Sequence, residues 1–178
     1  QWEVLSNGTT ALLAFLTRTM QASSVVTIGT DAGVSALALL EGMSDHGVLT
    51  SIDPDAERQA AARKVLSLAR IRSNQVRLIT GTPLDVLPKL RDGAYDMVLI
   101  NGDRLEYVEY VSQALRLLRT GGIVVVNDAL ANNHVADPDN EDDDTLIIRE
   151  TLDSVLETEE FTPVLLPVGE GLLLATKS

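Results

Sequence analysis

The sequence has no cysteine among its 178 residues. Disulfides, thiolate nucleophiles and cysteine-ligated zinc are therefore excluded, and the composition fits a reducing, cytoplasmic setting. Aromatic residues make up only 3% of the chain, while hydrophobic residues make up 45%, so the core has to be built from Val, Leu, Ile and Ala. Positive charge is scarce as well: 14 Lys and Arg stand against 26 Asp and Glu, a net charge of −12. Such a surface opposes binding to nucleic-acid phosphates and to anionic membranes. No apolar run approaches the ~20 residues that span a bilayer. The opening Gln1-Trp2-Glu3 carries no signal-peptide pattern and no initiator Met, and the expectation is a chain trimmed at its N-terminus. A chain of this length is expected to form one domain, 1–178, with a sizeable core.

What is present is a regular alternation of short apolar runs and helical patterns. Val25-Val26-Thr27-Ile28 stops at Gly29, turns through Thr30-Asp31-Ala32, and restarts after Gly33 as an apolar helix. This outlines a strand, a tight turn and a helix N-terminus in a nucleotide-binding α/β domain. Strands are expected at 25–29, 48–52, 76–80, 95–100 and 123–126, with two more at 162–167 and 171–176 joined by a hairpin turn. Helices are expected at 8–20 (capped by Asn7 or Thr9), 33–43, 55–69, 84–90, 105–118 and 145–159. Thr120-Gly121-Gly122 is expected to stop the helix before it, as a C-terminal glycine does, and 132–143 to form a polar loop. The first five strands are nearly unbroken runs of Val, Ile and Leu, the pattern of a parallel sheet covered on both faces.

In such a sheet, ligands bind beyond the carboxyl ends of the strands. The unusual polar residues all fall at those ends: Gly29-Thr30-Asp31, Asp53, Gly81-Thr82, Asn101-Gly102-Asp103 and Asn127-Asp128. Gly29 and Gly33 allow a sharp turn and close approach of a ligand. Ser35 adds a hydroxyl beside helix N–H groups, a place suited to a carboxylate or phosphate. Asp53 is placed to accept hydrogen bonds from ribose hydroxyls. The turn lacks the second glycine of a dinucleotide fingerprint, because Asp31 stands there, so NAD is disfavoured against another ribose-bearing ligand.

On the stretches 25–37, 51–55, 78–90, 95–107, 115–137 and 163–177, the chain resembles the class I S-adenosylmethionine-dependent O-methyltransferases of the catechol and caffeoyl-CoA type. The ending Pro163-Val164-Leu165-Leu166-Pro167-Val168-Gly169-Glu170-Gly171-Leu172 carries much of that likeness. The resemblance implies a Rossmann-like, doubly wound α/β fold. Its seven-stranded, mostly parallel sheet has helices on both faces and a C-terminal antiparallel hairpin. It also implies S-adenosylmethionine as cofactor, a small-molecule hydroxylated acceptor, aromatic ones among them, and a homodimer. By position, Gly29, Thr30, Gly33 and Ser35 would surround the methionine part of the cofactor, with Thr27 and Asn101 near it. Asp53 would hold the ribose beside Pro54, Thr82 and Pro83 would border the adenine, and Leu5 and Asn7 would border the same pocket.

The sequence departs from that family at the catalytic end. Where the family has Asp-x-Asp-Lys, with a metal-ligating Asp and a basic Lys, this chain has Asn101-Gly102-Asp103-Arg104; for the family's Asp-Asn it has Asn127-Asp128. Asn101, Asn127 and Asp128 would be the ligands of a Mg²⁺ ion, but two amides and one carboxylate predict weak binding or none. Arg104 cannot serve as a base, since a guanidinium stays protonated; Asp103 and Asp128 are the nearest carboxylates, and Arg104 is left to steady an anion. Thr27 replaces a glutamate and weakens one contact to the cofactor amine. These changes leave a second reading, a binding module of the same fold with impaired catalysis. The acidic run 137–144 fails as a calcium loop, since Asp142 replaces the sixth-position Gly and Ile148 the twelfth-position Glu; it is read as solvated and mobile. His46 is read as a turn residue and Trp2 as packing, and His134 as structural with a place at the substrate mouth as the alternative.

Overall fold

The computed structural model describes residues 4–178, so Trp2 lies outside the described residues. Seven strands form one sheet: β1 (Ser24–Ile28), β2 (Val48–Asp53), β3 (Val76–Thr80), β4 (Tyr95–Ile100), β5 (Leu118–Asn127), β6 (Phe161–Leu166) and β7 (Leu172–Lys177). Their order is β3-β2-β1-β4-β5-β7-β6. The pairs from β3 to β5 are parallel, and β7 runs antiparallel to both β5 and β6. This is the expected mostly parallel, doubly wound sheet with its closing antiparallel hairpin.

The strands are double-faced, as the unbroken apolar runs require. Val26 and Ile28 of β1 join one buried cluster and Val25 the other; Val98 and Ile100 of β4 are separated in the same way from Met97 and Leu99. Helices α1 (Asn7–Thr19), α2 (Val34–Gly42) and α3 (Ala56–Leu68) contribute Leu13, Leu39 and Leu66 to one face. On the opposite face, α5 (Tyr107–Leu117) and α6 (Asp143–Glu157) contribute Tyr110, Leu117 and Val155. Leu87, just after the short α4 (Pro83–Val86), joins them. Both tyrosines of α5 are buried, as are Tyr95 and Phe161, whereas Phe15 of α1 is exposed.

Three local readings are corrected. The cap of α1 is Ser6, whose hydroxyl accepts the Thr9 N–H at 3.1 Å, rather than Asn7 or Thr9. Gly121 and Gly122 do not end the preceding helix: α5 ends at Leu117, and the chain enters β5 directly with Leu118 extended. The glycines lie inside β5, where the pairing with β4 shifts between Tyr95–Leu118 and Met97–Ile123. A side chain on Gly122 would meet the Arg119 carbonyl at 2.9 Å, so the irregularity itself demands glycine there. The acidic run is not loose. Arg149 of α6 donates to the backbone carbonyls of His134 (3.1 Å), Val135 (3.2 Å), Asn140 (2.7 Å) and Asp137, fastening the segment to the helix. Its last acids, Asp143 and Asp144, open α6, where negative charge suits the helix dipole.

The sheet order reverses between β1 and β4, which run side by side with Ile28 opposite Ile100. Successive connections leave to opposite faces there and open a crevice at the carboxyl ends. At the far side of that crevice, Asn127 at the end of β5 is opposite Leu172 at the start of β7.

Candidate active site

Gly29 sits where β1 and β4 come closest. Its φ is +90°, and a Cβ on it would stand 2.1 Å from the Asn101 carbonyl oxygen, so no other residue can hold this approach. The turn that follows keeps left-handed backbone at non-glycine positions, φ +38° at Asp31 and +56° at Ala32, an arrangement that stores strain. Gly33 serves packing instead: a Cβ there would meet Ala62 of α3 at 3.1 Å.

Asp53 is fully buried and knits two loops together. Its Oδ2 accepts the Thr30 N–H at 2.9 Å and its Oδ1 the Asp55 N–H at 2.8 Å, while Arg58 Nη1 lies 3.6 Å away. The Thr30 and Ser51 hydroxyls bond each other at 2.8 Å below it. Asp31 turns back onto α2: its carboxylate accepts the Ser35 N–H at 3.1 Å and the Ser35 hydroxyl at 2.6 Å. Burial pushes the Asp31 carboxyl up to about 7, the Ser35 hydrogen bonds oppose the rise, and the nearby Asp53 charge adds to it. The hydroxyl that Ser35 was expected to offer to a ligand, and the N–H beside it, are thus already engaged by Asp31.

A cavity of about 610 Å³ opens over these groups. Its wall is formed by Gly29, Asp31, Asp53, Pro54, Thr82 and Pro83 and by Asn101, Asp103, Arg104, Asn127 and Asp128. Thr27, Thr30, Gly33 and Ser35 stand behind this wall, all buried or nearly so, with the Thr27 hydroxyl donating to the Gly29 carbonyl at 3.0 Å. Leu5 borders a smaller side cavity of about 240 Å³ that shares Asn101, Arg104, Asn127 and Asp128 with the main one. Asn7 is exposed on the first turn of α1. His134 lies on a third cavity, again beside Arg104 and Asp128.

At the polar end, Asn127 Nδ2 donates to Asn101 Oδ1 at 2.9 Å, which links the two amides and engages the Asn101 oxygen. Arg104 Nε pairs with Asp128 Oδ2, and Arg104 Nη1 reaches Asp144 of α6 at 3.3 Å. Asp128 is held with φ +61°. Asp103 Oδ1 accepts the Leu105 N–H at 3.0 Å and caps the turn that leads into α5. Tyr110 donates its hydroxyl to Glu106; burial first, then that carboxylate, push its phenol well above the usual range, so it stays neutral.

A divalent cation does not fit this donor set. Among the described residues no three His, Asp or Glu side chains are grouped to hold a metal ion. Of the three expected ligands, two are amides bonded to each other and the third is a carboxylate already paired with a guanidinium. Hard cations bind through charged oxygens with lone pairs directed at the ion, and that condition is not met.

Sequence reasoning missed Arg58, Glu106, Tyr107, Tyr110 and Asp144 on the main cavity wall. The tyrosines, three apart at the start of α5, carried a signal, since helical spacing turns both to one face. Asp144 carried none: α6 brings it in from a distant stretch of chain.

Comparison with known proteins agrees with this geometry. The sequence profile of a family described as O-methyltransferase matches residues 3–178. A protein of Mycobacterium sp. (strain KMS), whose name is that of an O-methyltransferase, is 42% identical over 167 residues, covering 94% of this chain and 76% of the relative. Among solved structures, a protein of Corynebacterium glutamicum superposes with a TM-score of 0.93 at 30% identity, over 99% of this chain and 83% of its own. The O-methyltransferase TomG of Streptomyces achromogenes, solved in complex with S-adenosylmethionine, superposes with a TM-score of 0.91 at 28% identity, over 98% and 82%.

Proposed function

We infer the chemistry of the cavity from family membership: the chain belongs to the O-methyltransferase family. It transfers a methyl group from S-adenosylmethionine to a hydroxyl of a small acceptor, with aromatic alcohols and phenols the first to test. The observation that carries this reading is one continuous cavity. It joins the glycine turn and buried Asp53 to the polar cluster around Asn101 and Arg104. The alternative, a binding module without catalysis, is not favoured, since family and relatives alike are O-methyltransferases.

Bound there, S-adenosylmethionine supplies a methyl group activated by its sulfonium. In our reading Asp53 accepts the ribose hydroxyls. Pro54, Thr82 and Pro83 border the adenine, while Gly29 and Asn101 let the methionine part approach the backbone. Thr27, Thr30, Gly33 and Ser35 hold that wall from behind, while Leu5, expected beside the cofactor, borders the adjoining side cavity instead. Of the two candidate carboxylates we assign the hydroxyl proton to Asp103, since Asp128 is paired with Arg104, which itself stays protonated. With the cofactor bound, transfer to the acceptor oxygen would leave the C–S electron pair on sulfur, and the part of this wall would be to hold acceptor and donor in line. The homodimer and the cytoplasmic setting belong to the same proposal, supported by the resemblance and by a chain free of cysteine.

Calorimetry with S-adenosylmethionine, its demethylated product and NAD tests the cofactor, and a methyl-transfer assay over catechols and phenols tests the reaction. Binding of NAD without S-adenosylmethionine would sink the reading. Light scattering after gel filtration tests the dimer.

A further inference from the structure

We propose that Arg104 stands in the electrostatic place of a divalent cation and makes methyl transfer by this chain metal-independent. The proposal rests on the methyl-transfer reading above. Three parts of the fold meet at this point: the end of β4 with Asn101, the end of β5 with Asn127 and Asp128, and the first turn of α6 with Asp144. A metal ion would join such ends by drawing in their oxygens. Here the joining is done without one. The Asn127 amide donates to Asn101, which ties β5 to β4. The Arg104 guanidinium holds Asp128 on one edge and Asp144 on the other, which ties β5 to α6.

An entering cation would have to displace a guanidinium that cannot lose its proton. It would gain only one carboxylate and two neutral amides in return, a poor set for Mg²⁺. The exchange is therefore unfavourable on both counts, charge repulsion and donor set. Arg104 supplies a permanent positive charge at the cavity wall but no open coordination position. It positions Asp128 and the mouth formed by α6, and it cannot polarise an acceptor oxygen as a Lewis acid does. The bond balance of methyl transfer needs no such polarisation: the acceptor oxygen loses a proton and gains the methyl carbon, and sulfur keeps the pair.

The test is Mn²⁺ titration of the full chain, followed by electron paramagnetic resonance with and without S-adenosylmethionine, together with the methyl-transfer assay with and without EDTA. The expected result is no saturable Mn²⁺ binding tighter than about 1 mM and no effect of chelation on turnover. Micromolar Mn²⁺ binding, or turnover lost to EDTA and restored by Mg²⁺, would overturn the proposal. The paired variant Asn101→Asp with Arg104→Ala removes the internal cation and adds a carboxylate. It should tighten Mn²⁺ binding at least about tenfold, whereas Arg104→Lys, which keeps a cation, should not. A paired variant that binds cofactor yet gains no Mn²⁺ affinity removes Arg104 from its assigned role. Failure of S-adenosylmethionine to bind the wild type would instead sink the methyl-transfer reading, while the Mn²⁺ titration still decides the question of the metal.

Discussion

Asp31 grips Ser35 at both of its polar groups, taking the backbone N–H at 3.1 Å and the hydroxyl at 2.6 Å with one carboxylate. The pair is buried at the N-terminus of α2, next to the Asp53 charge. A carboxylate so placed satisfies the helix end but is held in low dielectric, and the two effects pull its protonation in opposite directions. Burial wins, and the group titrates at about 7.

Because the folded pKa lies above the unfolded one, the native state binds this proton more tightly. The resulting stabilisation is fully present below about pH 4 and is lost as pH rises through 7. Asp31→Asn keeps an oxygen acceptor and removes the titration. The variant should gain stability relative to wild type between pH 5 and pH 8, by about 1–3 kcal/mol. Thermal melts of both proteins at the two pH values measure this; parallel pH dependence would show that Asp31 does not titrate in that range.

Asp53→Ala removes the acceptor assigned to the ribose and two internal hydrogen bonds. Cofactor affinity should fall by about 1–3 kcal/mol. Asp55→Ala is the control, since Asp55 caps α3 through the N–H groups of Glu57 and Arg58 and leaves the Asp53 carboxylate in place. Calorimetry should show a large loss for the first and near-normal affinity for the second. Equal losses would mean that loop integrity, and not the Asp53 carboxylate, governs binding.

Gly29→Ala and Gly93→Ala both place an L side chain at positive φ, +90° and +61°. Only the first also drives a Cβ into the Asn101 carbonyl, at 2.1 Å; nothing lies within 4 Å at the second. Urea denaturation should show a loss above about 2 kcal/mol for Gly29→Ala and about 1 kcal/mol for Gly93→Ala. Similar losses would mean that backbone strain alone, and not the β1–β4 approach, makes Gly29 necessary.

Arg149→Ala cuts the ties from α6 to the backbone around His134–Asn140. Amide exchange in that segment should rise, with a global loss of about 1–3 kcal/mol. Unchanged exchange there would mean that the segment keeps its shape without the arginine.

The strands were readable because each apolar run is bounded by polar or turn residues; β3 and β4 match their expected limits residue for residue. The α5–β5 boundary was not, because a Gly-Gly pair after a helix also fits a strand irregularity, and only the pairing with β4 decides between them. Gly29 and Asp53 were legible as cavity residues because strand ends carry ligands in this architecture. Ser35 was misjudged because its local pattern does not reveal that Asp31, four residues earlier, already accepts its N–H. Arg104 was recognised as unable to act as a base, but its bridge from Asp128 to Asp144 depends on the path of α6 and has no signature in the chain.

The placement of β7 between β5 and β6 bears on the order in which the molecule assembles. During synthesis β1 to β4 emerge with their parallel neighbours and can pair early. β6 must wait for β7, which is made last of the seven. The same late strand brings Leu172 against Asn127, and the residues just before it, Glu170 and Gly171, offer their carbonyls to the N–H groups of Leu130 and Ala129. A nascent chain can therefore hold a finished glycine turn while the Asn127–Asp128 corner still lacks its backing. That corner is therefore completed only when β7, the last strand made, pairs with β5.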